Sequence, residues 1–226
     1  MKKKKWLLAA DHNACAESMA GELGLSRLTT RVLAARGFDT RQKAQAFMTH
    51  SLAGIHDPFL LKDMDKAVAE IRRAIENKEK IAVYGDYDVD GVTATCIMIQ
   101  YLKKMGADCT YYIPDRLEEG YGLNVAAIQS LYDDGCRLLI TVDSGITAEE
   151  EAVFAKELGL RLIITDHHEC KEKLPDAVAV VNPRRMDSEY PFRELAGVGV
   201  LGLLWCLDAE LEDLLRELRL FEDFVH

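Results

Sequence analysis

A chain of 226 residues with 38 acidic and 28 basic side chains has a formal charge of −10. That charge argues against a broad basic surface of the kind that holds nucleic acid without a mediating cation, disfavouring nucleic acid without excluding it. Hydrophobic residues make up 49% of the sequence, enough for one large core or for one domain with a smaller companion. The six cysteines (Cys15, Cys96, Cys109, Cys136, Cys170 and Cys206) contain no Cys-x-x-Cys pair, so they read as reduced thiols of a cytoplasmic protein.

At the N-terminus, Lys2 to Lys5 followed by Trp6 to Ala10 imitates a secretory signal, but the apolar run stops at Asp11-His12 and secretion is not expected. No apolar stretch has the length needed to span a membrane. Residues 1 to 60 carry helical signals without strands: Leu28, Val32 and Leu33 share a helical face, Arg36-Gly37 marks a stop, and Asp39-Thr40 marks a new start. After Pro58, the positions Met64, Ala67, Val68, Ile71 and Ile75 recur at helical spacing and predict an amphipathic helix leading into the first strand.

From Lys80 a strand-then-helix rhythm begins, the pattern of a parallel sheet with crossover helices. The predicted strands are 81–84, 109–113, 137–142, 161–165 and 177–181, and the predicted helices are 92–104, 125–132 and 148–157. Gly106, Gly135 and Gly159 fall where helices should end. The expected fold is α/β: a doubly wound, mostly parallel five-stranded sheet with a helical N-terminal lead-in and a C-terminal helix.

The residues after each strand carry the chemistry, because ligands of open α/β sheets bind at the carboxyl ends of the strands. Strand one is followed by Asp86, Asp88 and Asp90; strand two by Pro114-Asp115-Arg116; strand three by Asp143-Ser144-Gly145; strand four by Asp166-His167-His168; strand five by Asn182-Pro183-Arg184. No Gly-x-Gly-x-x-Gly follows the first strand and no Gly-x-x-x-x-Gly-Lys-Ser/Thr occurs, so dinucleotide and P-loop readings have no support. Asp86 to Gly91 resembles the start of an EF-hand loop, but the twelfth position is Ile97 where that loop needs a glutamate.

A single aspartate after a strand is often only the cap of the next helix. Several carboxylates on one edge, however, would raise each other's pKa and destabilise the fold unless cations neutralised them. Oxygen and imidazole donors without sulfur suit Mn2+ or Mg2+, and a cluster of this size has room for two ions bridged by a shared carboxylate. Arg116, Asn182 and Arg184 are candidates to face the oxygens of a substrate phosphate, with surface salt bridges the alternative for the two arginines.

Asp166-His167-His168 after an apolar strand, together with Gly85 to Gly91, resembles the DHH phosphoesterase superfamily and, within it, the RecJ family of exonucleases. The likeness extends through Leu33 to Gly37, Asp57-Pro58, Ile113 to Arg116, Glu119 to Asn124, Thr141 to Gly145, Val181 to Pro183, Tyr190 to Phe192, and Ala196 to Val200. It implies metal-dependent hydrolysis of the phosphodiester bonds of single-stranded DNA from the 5′ end. It also implies two ions, Mn2+ or Mg2+, held by Asp88, Asp90, Asp143 and His167, with Asp143 bridging and Asp86 either a further metal ligand or a carboxylate close behind the ligands. Asp166 would orient His167, and His168 would contact the scissile phosphate, so Asp166 and His168 are the implied catalytic residues.

On this resemblance the chain divides into a helical region at 1–60, a DHH domain at 61–200, and an atypical helical tail at 201–226 in which Leu207, Leu211, Leu214, Leu215 and Leu218 recur at helical spacing. The superfamily's fourth metal motif and the further domains of RecJ have no counterpart in these residues, so a shortened form with impaired activity is expected. Two other readings remain open. One is a DHH phosphodiesterase acting on short oligonucleotides or cyclic dinucleotides. The other is a noncatalytic scaffold that binds single-stranded DNA or replication and repair proteins.

Overall fold

The computed structural model describes residues 13–49, 56–120 and 122–205, which fall into two compact units divided after Ile55. The lysine-rich start and the leucine repeat from Leu207 onward lie outside the described residues.

The first unit contains three helices, α1 (Asn13–Leu23), α2 (Arg27–Ala35) and α3 (Arg41–Met48). Ser26 caps α2 and Thr40 caps α3, each accepting from an amide of the first turn, as the sequence predicts for Thr40. The core is Met19, Leu33, Ala34 and Ala44. The expected apolar face of α2 is only partly realised. Leu33 is buried, but Leu28 and Val32 are 74% and 49% exposed, because α2 turns Thr30, Leu33 and Ala34 inward instead.

The second unit is built on five parallel strands, β1 (Lys80–Tyr84), β2 (Cys109–Tyr112), β3 (Cys136–Val142), β4 (Arg161–Thr165) and β5 (Ala179–Val181), in the order β2-β1-β3-β4-β5. The helices are α4 (Met64–Glu76), α5 (Val89–Lys104), α6 (Val125–Asp133), α7 (Glu149–Leu158) and α8 (Gly197–Trp205). Each strand and helix expected between Met64 and Val181 is present, with ends shifted by at most three residues. Both faces of the sheet are covered, which explains why the strands read as unbroken apolar runs. Ile81, Val83, Leu138, Ile140 and Ile163 pack with α4, α5 and α8, while Ala82, Tyr84, Leu139, Leu162 and Ile164 pack with α6 and α7.

The strand order fixes where a site can form. From β1 the chain crosses through α5 to β2 on one side, and from β3 it crosses through α7 to β4 on the other. The connections diverge between β1 and β3, leaving a crevice at their carboxyl ends. Asp86 follows β1 and Asp143 follows β3, so the two loops open onto this crevice.

Candidate metal centre

The β1 loop turns tightly into α5. Asp88 caps the helix, its Oδ1 accepting from the Gly91 amide at 2.9 Å, and Asp90 sits in the first helical turn where the helix dipole favours an anion. Gly91 is required by this approach: a Cβ there would stand 2.6 Å from the Asp86 carbonyl oxygen and 2.7 Å from the Asp86 Cβ. The absence of a side chain lets the start of α5 press against Asp86, which is buried to 3% exposure.

Asp143 is 1% exposed and has a φ of 57°, a left-handed conformation that aspartate tolerates better than most side chains. Its Oδ1 and the Oδ1 of Asp86 are buried without a hydrogen-bond partner. His167 Nε2 lies 3.0 Å from Asp143 Oδ1 and 3.5 Å from Asp90 Oδ2, yet the short approach does not form a hydrogen bond. Two groups of donors gather within 4.8 Å: Asp86, Asp88 and Asp143, and Asp143, His167 and His168. Asp143 belongs to both, the position a bridging carboxylate needs.

The electrostatics match this crowding. Burial pushes the Asp143 carboxyl up to about 8, and the charges of Asp90 and Asp88 add to the shift. Burial likewise raises Asp86, with Asp88 contributing. Asp166 behaves oppositely. Burial works to raise it, but hydrogen bonds from the His168 ring and from the amides of Ile146 and His168 outweigh that and hold it below the usual carboxylate range. Its partner His168 is raised, chiefly by the hydrogen bond to Asp166 and against the effect of burial.

This pairing corrects the expected role of Asp166. Its Oδ1 lies 2.7 Å from His168 Nδ1 and also accepts the His167 and His168 amides at 2.7 and 3.1 Å, while its Oδ2 accepts the Ile146 amide at 2.9 Å. Asp166 therefore orients the ring of His168 and touches His167 only through the main chain. The two imidazoles follow each other off β4 with their ring centres 4.5 Å apart, His167 reaching Asp143 and His168 reaching Asp166.

The candidate phosphate contacts separate. Asn182 is fully buried and committed to the protein: its Nδ2 donates to the His168 carbonyl at 3.0 Å and its Oδ1 accepts the Arg184 amide at 2.7 Å. Arg184 is engaged by Glu169 and, at 2.8 Å, by Glu194. The Asn182 amide supports the strand end, while Arg184 pairs with two exposed glutamates and keeps its Nε buried without a partner. Arg116 differs, lying exposed with its guanidinium 5.3 Å from the centre of the Tyr87 ring and its charge acting to lower Asp86.

The loop bearing Arg116 is anchored by contacts that no local pattern announces. Tyr112 Oη donates to Glu119 at 2.5 Å, and Asn124 Nδ2 lies 2.9 Å from Glu119 and 3.2 Å from Tyr84 Oη. Asp90 holds another unannounced contact, its two oxygens accepting the amides of Gly197 and Val198 at 2.8 and 2.7 Å. Beside His168 is a cavity of about 500 Å³, lined in part by Leu123, Ile146 and Asp166.

Donors that converge with bare buried oxygens fit a divalent metal centre: oxygen and imidazole ligands, no sulfur, and a carboxylate shared by two groups. Comparison with known proteins agrees with that geometry. A single-stranded-DNA-specific exonuclease RecJ of Bacillus subtilis (strain 168) is 46% identical over 217 residues, covering 96% of this chain and 28% of the relative. The curated relatives it matches are all longer, and the chain spans between 22% and 34% of their length. Among solved structures, an exonuclease RecJ bound to manganese is similar at 36% identity and a TM-score of 0.59, covering 64% of this chain and 37% of that one. RecJ from Thermus thermophilus in complex with Mn2+ is similar at 27% identity and a TM-score of 0.62, covering 88% of this chain and 27% of that one. Residues 80–219 match the DHH family, N-terminal domain, a range that holds every candidate ligand and continues past Val200 into the leucine-rich segment. The chain belongs to the DHH family.

Proposed function

We propose that this chain carries the catalytic centre of a RecJ-like exonuclease, hydrolysing the phosphodiester bonds of single-stranded DNA from the 5′ end with two divalent cations, Mn2+ or Mg2+. The observation that carries the reading is Asp143: a buried carboxylate with a bare oxygen, common to two three-residue donor groups. The relatives named for this activity, and the manganese-bound structures among them, support it.

In this reading Asp86, Asp88 and Asp143 hold one cation, and Asp143 and His167 hold the other, with Asp90 completing the carboxylate set beside His167. When bound, such cations neutralise phosphate charge and activate water for in-line displacement. His168 faces the phosphate. Asp166 fixes its Nδ1 and favours the protonated ring, whose Nε2 donates to a phosphate oxygen. Arg116, whose charge acts on Asp86, supplies a second positive group beside the β1 loop, and the cavity beside His168 offers space for a nucleotide. These groups offset locally a chain whose overall charge is unfavourable to DNA.

The catalytic part is proposed to span 61–200, flanked by a helical region at 1–60 and a helical tail at 201–226. The setting proposed is the cytoplasm, in DNA repair or recombination, with replication or repair proteins as partners. Five described cysteines form no disulfide, and among the described residues no helix is long and apolar enough to cross a membrane.

The test is digestion of 5′-labelled single-stranded DNA with and without Mn2+, beside a duplex, a short oligonucleotide and a cyclic dinucleotide. Mn2+-dependent release of label from the long single strand, lost in Asp143→Asn, is the expected result. Turnover confined to the short or cyclic substrates would contradict the assignment. Arg116→Ala should raise KM for the strand about tenfold, with kcat little changed, because it removes a contact made alike in the ground and transition states.

A further inference from the structure

The first turn of α8 meets the candidate metal centre at two points. Its Gly197 and Val198 amides donate to Oδ2 and Oδ1 of Asp90 at 2.8 and 2.7 Å, so both oxygens of that carboxylate are gripped by one helix N-terminus. Gly197 also lies against Asp143. A Cβ at position 197 would stand 2.6 Å from Asp143 Oδ1, 2.7 Å from its Cβ and 2.8 Å from its Cγ.

We propose that Gly197 and Val198 are positioning residues of the metal centre, fixing Asp90 with two amides and allowing Asp143, by the absence of a side chain at 197, to reach its bridging position. The inference rests on the metal-centre reading above. His167 Nε2 stands between the two carboxylates that α8 touches, 3.0 Å from Asp143 and 3.5 Å from Asp90. Moving the start of α8 would therefore disturb a carboxylate on either side of that imidazole. The amide dipoles of α8 also offset part of the repulsion among these carboxylates, the stabilisation a helix N-terminus offers an anion.

The geometry explains a residue that helix propensity does not. In a helix, alanine is ordinarily preferred to glycine. At Gly202, further along the same helix, no described residue lies within 4 Å of an added Cβ. At Gly197 the same atom would collide with a buried carboxylate that the left-handed backbone of Asp143 leaves little room to retreat. The two glycines should thus respond oppositely to one substitution.

The experiment is Mn2+ titration by calorimetry on the full chain, with far-UV circular dichroism to confirm folding and a thermal melt of the metal-free protein. Gly197→Ala should weaken Mn2+ binding at least tenfold, and Gly202→Ala should bind as the native chain does. A purely structural role would lower the melting temperature while leaving the affinity of the folded protein unmoved. Folded Gly197→Ala with native affinity would overturn the proposal. Should that variant not fold, Val198→Pro decides: in the first helical turn, where proline is tolerated, it removes one amide donor and sets its ring Cδ against Asp90 Oδ1, displacing the carboxylate from the helix start, and tenfold weaker binding supports the proposal while native binding overturns it. A native chain that binds no Mn2+ overturns the metal-centre reading and this inference together.

Discussion

Carboxylates on the two edges of this sheet live in opposite surroundings. At the amino-terminal edge, Glu70 and Glu79 close on the guanidinium of Arg161, the first residue of β4, and Arg73 pairs with Glu70 at 2.8 Å. Beside β5, Arg185 is held at 2.6 Å by Asp63 and at 2.8 Å by Asp187. At the carboxyl edge, Asp86 and Asp143 are buried with bare oxygens, and among the described residues no lysine or arginine forms an ion pair with them or with Asp88 and Asp90. The paired set welds helices and strands to one another. The unpaired set is costly for the fold alone and becomes reasonable only with a cation.

The largest expected effect comes from neutralising the unpaired set. Asp143 is raised to about 8 in the folded protein from an ordinary 3.8, so between those values the folded state holds a proton that the unfolded state has released. Stability of the metal-free chain therefore falls as pH rises through that window. Asp143→Asn, which suits the left-handed backbone, removes the penalty. The variant should be more stable than the native chain by roughly 2–4 kcal/mol at pH 8 and by less than about 1 kcal/mol at pH 5, as denaturant melts at the two pH values would show. A variant destabilised equally at both would mean Asp143 is a structural partner like Glu70.

Breaking the paired set should do the reverse. Arg161→Met leaves Glu70 and Glu79 with Arg73 as their remaining partner at a partly buried site, costing roughly 1–3 kcal/mol, between the limits for exposed and buried pairs. Urea denaturation at pH 7 measures it, and a stability within error of native would show that the amino-edge pairs hold nothing together. A smaller effect belongs to Asp63. Burial works to raise its pKa, but Lys66 and Arg185 outweigh that and lower it below 3.8. The stabilisation is present above 3.8 and lost as pH falls through the lower folded value. Asp63→Asn should flatten the acid limb of the stability profile below about pH 4; an unchanged limb would assign acid sensitivity to other carboxylates.

Much of the fold was legible because its signals are local. Apolar runs such as Arg161 to Thr165 mark strands buried on both faces, and Gly106, Gly135 and Gly159 take the positive φ that ends a helix. The gathering of Asp86, Asp88, Asp143 and His167 was also legible, since parallel strands bring their carboxyl ends to one edge. What no local pattern encodes is which polar groups the protein itself engages. Asn182 and Arg184 lie on the expected edge, where Asn182 holds the His168 carbonyl and Arg184 pairs with Glu169 and Glu194. Asp90 is met by amides 107 and 108 residues away, a contact no periodicity encodes. The exposed Leu28 and Val32 show the same limit for apolar residues: helical spacing defines a stripe, and packing decides which stripe turns inward.

The central claim is that the unpaired carboxylates, and not the paired ones, form a metal centre. Calorimetric titration of Mn2+ into the native chain, Asp143→Asn and Arg161→Met at one pH tests it most directly. The account predicts saturable binding by the native chain, affinity reduced at least about 100-fold in Asp143→Asn, where a ligand shared by both groups is lost, and native affinity in folded Arg161→Met. Equal binding by the native chain and Asp143→Asn, or no binding by the native chain, would contradict it.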